Sequence, residues 1–267
     1  MLLFLPLLLQ AQAIEAPAPL KPVGKWNVDY GPKSCTLSRR FGDGTRAVTL
    51  GLRPATLGGA IVFILDAPDD TRDTPRAGKA TLQIQPNARA ATANYSLLPE
   101  SGQTRPTPHI FIERQILSSW IDVERLSIAL GKSSPITFDL GPMAGGIKAV
   151  EKCQDDLLRS LQIDPAERAN IATIATVRSD PGEIFLPNEL PPAALGSNLR
   201  RVEMLFTVGS NGRVTECRIW ESSTVASVDS NTCALARARL RYNPARDNAG
   251  HPIESHVILG VDWRRAN

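Results

Sequence analysis

This sequence contains few histidines and has only a small net charge, and each of these features argues against a class of ligand. The 267 residues include three histidines, His109, His251 and His256. None stands in H-E-x-x-H or another metal-ligand spacing, so solvated or capping histidines are expected and no metal site is predicted. The formal charge is +3, without the basic excess of a nucleic-acid binder. We therefore expect neither a metal ion nor a nucleic acid as ligand.

Motifs of catalysis are also missing. The sequence contains no G-x-S-x-G, Walker A or G-x-G-x-x-G segment, and "PMAGGI" lacks the lysine of a phosphate loop. The paired acids Asp69-Asp70 and Asp155-Asp156 are adjacent, so on a strand or helix they do not face one substrate. We predict a non-enzymatic protein without a cofactor. The alternative is an enzyme whose site lies in the N-terminal part of the chain.

A long hydrophobic run is absent, although a short one begins the chain. Leu2 to Leu9 is apolar and is followed by Ala11-Gln12-Ala13, an A-x-A cleavage pattern. A membrane span needs about 20 apolar residues, so residues 1–13 are predicted to be a secretory signal peptide and no stable membrane insertion is expected after cleavage. No basic residue precedes the run, and a start codon assigned too late would explain this. The alternative is a buried N-terminal strand; residues 14–24 are read as an extended leader.

Four cysteines remain, without C-x-x-C spacing, so a redox motif or zinc site is poorly supported. In an exported chain an even number suggests disulfides. Cys35 begins a predicted strand, and Cys153 shares a helix face with Val150 and Leu157. We predict a Cys35–Cys153 bond, which closes a 118-residue loop and contributes about 4–5 kcal/mol in the chain-entropy model. Two buried free thiols are the alternative.

The remaining pattern predicts two domains. Residues 25–161 begin with many short alternating segments separated by Gly, Pro, Asp and Asn, which is typical of a β-sandwich or barrel. Apolar residues at helical spacing then predict an amphipathic helix over 142–161 that closes this mainly-β domain. Residues 162–185 are interpreted as a linker with helix or strand in it.

Residues 186–267 predict a small α+β domain with the order β-hairpin, helix, strand. Alternating Val202, Met204, Phe206 and Val208 run into Asn211-Gly212, a strong hairpin signal. Asp229 is expected to cap a helix that continues to about Leu240. Cys217 on the second strand and Cys233 in the helix are predicted to form a second disulfide. Its 16-residue loop corresponds to about 3 kcal/mol.

Three segments of this last region carry a family resemblance: "VGSNGRVTECRIWESS", "VDSNTCALARARLRYNPA" and "DNAGHPIESHVILGVDW". Together with the upstream "LPNELPPAAL" they resemble the C-terminal domain of the TonB family over roughly residues 184–264. The paired cysteines resemble a periplasmic variant of that domain. The resemblance implies a periplasmic location in a Gram-negative cell envelope, with an envelope protein or extended peptide bound by β-strand addition. It also implies that a homodimer through sheet edges is an option.

The family's transducers have a membrane anchor and a proline-rich spacer, and neither pattern is seen in this sequence. The first hypothesis is therefore a periplasmic interaction protein or adaptor, and the second is a transport energy transducer whose anchor comes from elsewhere. The peptide is expected to bind along the last strand. The predicted contact positions there are Ser255, Val257, Leu259, Val261 and Trp263. Arg237 and Arg241, on one face of the helix, are a candidate anion contact; a solvated face is the alternative.

Overall fold

The computed structural model describes residues 18–67, 74–86, 89–99, 105–113, 122–194 and 201–263. The predicted signal peptide lies outside these residues, as does the first part of the predicted leader. Within the described ranges, no helix is both long and apolar enough to cross a membrane. Two units follow one another along the chain, a mainly-β first unit (residues 18–163) and a smaller α+β second unit (residues 171–263).

The first unit is built on one antiparallel sheet of nine strands in the order β1-β2-β3-β4-β7-β6-β5-β8-β9. Its strands alternate inward apolar residues with outward polar ones: in β5 the side chains of Ala80, Leu82 and Ile84 are buried while their neighbours are exposed. The strands are β1 Pro22–Tyr30, β2 Cys35–Phe41, β3 Val48–Pro54, β4 Ala60–Asp66, β5 Ala77–Gln85, β6 Arg89–Pro99, β7 Pro106–Glu113, β8 Arg125–Leu130 and β9 Ile136–Asp139.

The sheet curves into a nearly closed ring, and a residue of the predicted leader joins its two edges. The Leu20 backbone N–H donates to the Thr137 carbonyl at 2.7 Å, and the Asp139 N–H donates to the Leu20 carbonyl at 3.0 Å. Leu20 thereby forms a parallel bridge to Phe138 in β9. The prediction of a β-sandwich or barrel is confirmed in the form of a nearly closed barrel. Closure by the helix is not confirmed, because backbone pairing at Leu20 brings the edges together.

The amphipathic helix α1, Ala144–Ser160, packs against β1 and β2. Ile147, Val150 and Cys153 are buried in the same apolar core as the inward residues of the barrel. The Cys35–Cys153 disulfide is confirmed, with 6.0 Å between the two Cα atoms. The helix face that was read from the sequence therefore does point at the sheet.

The predicted linker 162–185 is folded into the second unit over most of its length. It begins with the short helix α2, Pro165–Ala169, and continues as β10 Ile171–Thr173, β11 Thr176–Val177 and α3 Pro181–Ile184. Strand β10 pairs with β15, Ala245–Asp247, and β11 pairs with β14, Tyr242–Asn243. The segment therefore supplies two strands to the second unit. Two 3-10 turns follow it, Pro187–Glu189 and Pro192–Ala194.

The second unit has a three-stranded antiparallel sheet with one helix on it, which confirms the hairpin, helix and strand order. The elements are β12 Val202–Val208, β13 Val214–Glu221, α4 Ala226–Arg239, β16 Pro252–Ile253 and β17 Ser255–Val261. The sheet order is β13-β12-β17. The Cys217–Cys233 disulfide, also confirmed, ties β13 to α4 with 5.7 Å between Cα atoms.

Helix α4 begins earlier than the sequence predicted, and the role expected of Asp229 is different. Val225 occupies the N-cap position, without a side-chain cap. The Asp229 carboxylate lies inside the first turn and accepts hydrogen bonds from the Ser223 backbone N–H at 2.8 Å and the Ser222 hydroxyl at 2.6 Å. Asp229 thus fixes the loop that leads into the helix, because both donors lie before the helix start.

Candidate partner-binding edge

Strand β17 is an edge strand of the second unit. Its residues 255–261 pair in antiparallel register with residues 208–202 of β12, and β17 has no other strand partner in the part of the chain that the structure describes. An edge strand directs alternate backbone N–H and C=O groups away from its sheet, where they can pair with an added strand. The predicted location of a peptide, the last strand, is therefore a sheet edge.

The predicted contact side chains of this strand face inwards. Ser255 and Val261 are buried, and Val257 and Leu259 pack against the core beneath α4. Trp263 is also buried: its indole N–H donates to the Thr232 hydroxyl at 2.9 Å, and its ring meets Phe185 edge-on at 6.0 Å. Any contribution of these five positions to peptide binding would come from the main chain, since their side chains hold β17 on the sheet.

Arg237 and Arg241, which were predicted as a candidate anion contact, make contacts inside the second unit. The Arg237 guanidinium donates to the Cys217 carbonyl of β13 at 3.3 Å. Arg241 donates to the carbonyls of Leu240 and Ala238 at 2.7 and 2.9 Å, at the end of α4. Cations at this end of a helix favourably oppose its dipole. Arg237 therefore covers part of β13, and Arg241 serves the helix terminus.

The opposite face of the three-stranded sheet is covered by the first unit. Leu205 of β12 is 3% exposed and Ile258 of β17 packs beside it, and both contact the end of α1. We call this contact the apolar interface; its members are Leu57, Leu158, Leu161, Ile163, Leu205 and Ile258. The β12 and β17 part of the sheet is thus covered on both faces, which leaves the backbone edge of β17 for an added strand; β13, where Glu216 and Arg218 are exposed, forms the other edge of the sheet.

Polar contacts flank the apolar interface on the β13 side. Arg218 donates to the Leu161 carbonyl at 2.8 Å and to the Gln162 side-chain oxygen at 3.3 Å. Farther along, the Lys33 ammonium lies 2.6 Å from the Glu221 carboxylate and 5.5 Å from the centre of the Trp220 ring. These contacts fix the register of the two units, because they join the end of α1 and the β1–β2 loop to particular positions on β13.

A further contact lies next to β17. The His256 imidazole is 3.6 Å from the carboxylate of Glu167 in α2. The neighbouring Arg168 turns the other way and binds Asp155 of α1 at 2.7 Å. The short helix α2 thus places an acidic side chain beside the start of the edge strand.

The apolar interface was not predicted from the sequence, although the sequence of its two strands contains a signal for it. The alternation Val202, Met204, Phe206 accounts for one face of β12, and Leu205 falls between these positions. Likewise Ile258 interrupts the alternation of Val257 and Leu259. Continuous apolar runs in a strand indicate burial on both faces, and these two residues could have indicated a covered second face.

Two carboxyl groups and one phenol of the second unit have shifted pKa values with clear causes. Backbone N–H groups of His251 and Ala249 lower the pKa of Asp247, the last residue of β15. A hydrogen bond from Arg239 lowers the pKa of Glu189. Burial raises the pKa of Tyr242 to about 12. These groups organise turns and packing, and within the described ranges no three potential metal ligands are clustered.

In a comparison with protein families, residues 200–264 match the family described as "Gram-negative bacterial TonB protein C-terminal". The match covers β12, β13, α4 and β17, the elements that build the edge. The preceding barrel has no family match, and a comparison with curated proteins returns no match. Residues 200–264 therefore match the TonB C-terminal domain family, and the resemblance seen in the sequence is confirmed for that part of the protein.

Proposed function

We propose that this protein binds an extended peptide or strand of a cell-envelope partner along β17, and that it acts in the periplasm as an interaction protein or adaptor. The observation that carries the proposal is the edge position of β17 in a domain of the TonB family. Main-chain hydrogen bonds from an added strand would provide affinity. Processing of residues 1–13 as a signal peptide and export are part of the same proposal.

The proposed role is not enzymatic. The predicted site residues on β17 and α4 make structural contacts, and the edge offers backbone groups suited to binding. The barrel would act as a scaffold that covers one face of the TonB-like sheet. A transducer that obtains its anchor from another protein is the second candidate, favoured by the family match alone.

Site-specific photo-crosslinking in cells tests the site and the partner together. The full chain is expressed with its own N-terminus, and a photoreactive amino acid replaces His256, beside the edge. A matched control places it at Lys132, an exposed turn residue between β8 and β9 of the barrel. We expect an adduct with an envelope protein at position 256 and none at 132.

Two results would count against the proposal in different ways. Partner adducts at position 132 with none at 256 would move the binding surface to the barrel. Adducts at 256 with inner-membrane motor subunits, on an unprocessed chain, would favour the transducer. Mass spectrometry of the adduct and of the chain's N-terminus distinguishes these outcomes.

A further inference from the structure

We propose that the segment connecting the two units contributes to peptide selection, and that Glu167 of α2 in this segment favours a lysine or arginine at the peptide position opposite His256. This inference rests on the proposed function, since it assumes that a strand is added to β17. It assigns a side-chain preference to a site whose main-chain pairing is independent of sequence. The occupant is an extended peptide with a basic residue at that position.

The first step of the argument is the direction in which side chains point. His256 and Ile258 lie on the face of β17 that meets the first unit, where Ile258 joins the apolar interface. Strands in a sheet are about 4.8 Å apart, and directly opposite residues have Cβ atoms roughly 5 Å apart on the same face. The peptide residue opposite His256 would therefore point towards the first unit and towards helix α2, which follows it in the chain.

The second step is the reach of α2. The Glu167 carboxylate is 3.6 Å from the His256 ring, and its side chain is 55% exposed. A lysine or arginine side chain that begins about 5 Å from His256 is long enough to meet this carboxylate. Helix α2 is held in place because Asp164 caps it by accepting from the Ala166 N–H at 2.9 Å.

The third step is charge. Arg168, the neighbouring basic residue on α2, is bound to Asp155 at 2.7 Å. At the other end of β17, the Asp262 carboxylate is bound by Arg201 at 2.8 Å. The charges of these two pairs are compensated within the protein, whereas the partner of Glu167 is a histidine. Glu254, which is exposed immediately before β17, adds a second carboxylate near His256, so the acidic character of the edge is concentrated at the start of the strand.

Selection of peptides from a random display library tests the preference. The purified full-length chain, with both disulfides formed, is the bait, and Glu167→Lys and Glu167→Gln are parallel baits. Glu151→Lys is the matched control: Glu151 is an exposed glutamate of α1 about two turns before Leu158. It carries the same change of net charge, and circular dichroism checks that each variant is folded.

We expect the parent chain to select peptides with Lys or Arg at one fixed position. The Glu167→Lys variant should instead select peptides with Asp or Glu at that position. Glu167→Gln should lose the preference and Glu151→Lys should keep it. For one selected peptide, Glu167→Lys should weaken binding about two- to fivefold, as for an exposed ion pair. Reversing the charge of the peptide residue should restore affinity.

The outcomes separate this inference from the proposed function. Peptides that crosslink at position 256 but show no dependence on Glu167 would overturn the charge preference and leave strand addition standing. Absence of binding peptides, or binding without crosslinks at 256, would overturn both. A chain that is dimeric in sedimentation at the assay concentration, and crosslinks at 256 to a second copy, would mean that β17 pairs with itself, and this too would overturn the peptide site.

Discussion

At the scale of single residues, the hairpin turn of the second unit depends on one glycine. Gly212 has a φ of 75°, and a methyl group there would overlap the Tyr242 carbonyl oxygen. Its own carbonyl accepts from the Tyr242 N–H at 2.9 Å. The turn thus packs directly on β14. Glycine is required there both for the left-handed backbone and for the close approach of Tyr242.

We expect Gly212→Ala to lower the free energy of unfolding by about 3 kcal/mol, of which roughly 1 is backbone strain and the rest the clash. The control is Gly250→Ala, with a φ of 84° and open space around it, which should cost only about 1 kcal/mol. Urea denaturation measures both. Equal losses would contradict the close approach of Tyr242.

A second residue-scale prediction concerns alkaline pH. Tyr242 is 3% exposed, and burial raises its pKa from 10.0 to about 12. Between these values the unfolded chain loses the phenolic proton while the folded chain keeps it, so the stabilisation present below pH 10 declines as pH rises towards 12. At pH 11 the loss from this group is about 1.4 kcal/mol.

Tyr242→Phe should remove this component of the alkaline loss. At neutral pH it should cost little, because no hydrogen-bond partner for the buried Tyr242 hydroxyl is found among the described residues. Tyr30→Phe, at a tyrosine that is 56% exposed, is the control and should retain the alkaline loss. Urea unfolding at pH 8 and pH 11 provides the comparison; parallel curves for Tyr242→Phe and the parent would contradict the assignment.

At the scale of elements, each disulfide ties a helix to a strand. Cys35–Cys153 joins β2 to α1 across 118 residues, and Cys217–Cys233 joins β13 to α4 across 16. In the chain-entropy model the longer loop restricts the unfolded chain more. The first unit should therefore depend more strongly on its bond.

Replacing both cysteines of one bond by serine should cost about 4–5 kcal/mol for the 35–153 pair and about 3 for the 217–233 pair. Unfolding in urea is followed by hydrogen exchange, so that each unit is observed separately. As a control, adding a reducing agent should cause no further loss of stability in the unit whose disulfide has already been replaced. An equal effect of both replacements would show that the loop lengths do not govern these contributions.

At the scale of the whole molecule, the apolar interface couples the two units. Leu205 points away from the core beneath α4 and into this interface, so a polar residue there should disturb the contact between the units more than either fold. Burying an amide without partners is unfavourable by about 1–3 kcal/mol. A single substitution at Leu205 should therefore be enough to weaken the coupling between the barrel and the TonB-like domain.

We expect Leu205→Asn to separate one thermal transition into two in calorimetry, because each unit would then unfold by itself. Leu98→Asn is the control: Leu98 is 38% exposed on β6 of the barrel, and this change should leave a single transition. A single, merely shifted transition for Leu205→Asn would contradict coupling through this interface.

Sequence alone determined the features that depend on local pattern. Both disulfides, the α1 face, the hairpin at Asn211-Gly212 and the TonB C-terminal match follow from periodicity, turn chemistry and motif, which neighbouring residues encode. Only the tertiary structure decided that Leu20 joins the barrel edges, that residues 171–177 pair with the second unit and that Asp229 holds a loop. It also decided that Leu205 and Ile258 meet α1 and that Glu167 reaches His256. Except for the Asp229 contacts, which span six and seven residues, these contacts join residues far apart in the chain, and their partners are selected by packing in three dimensions.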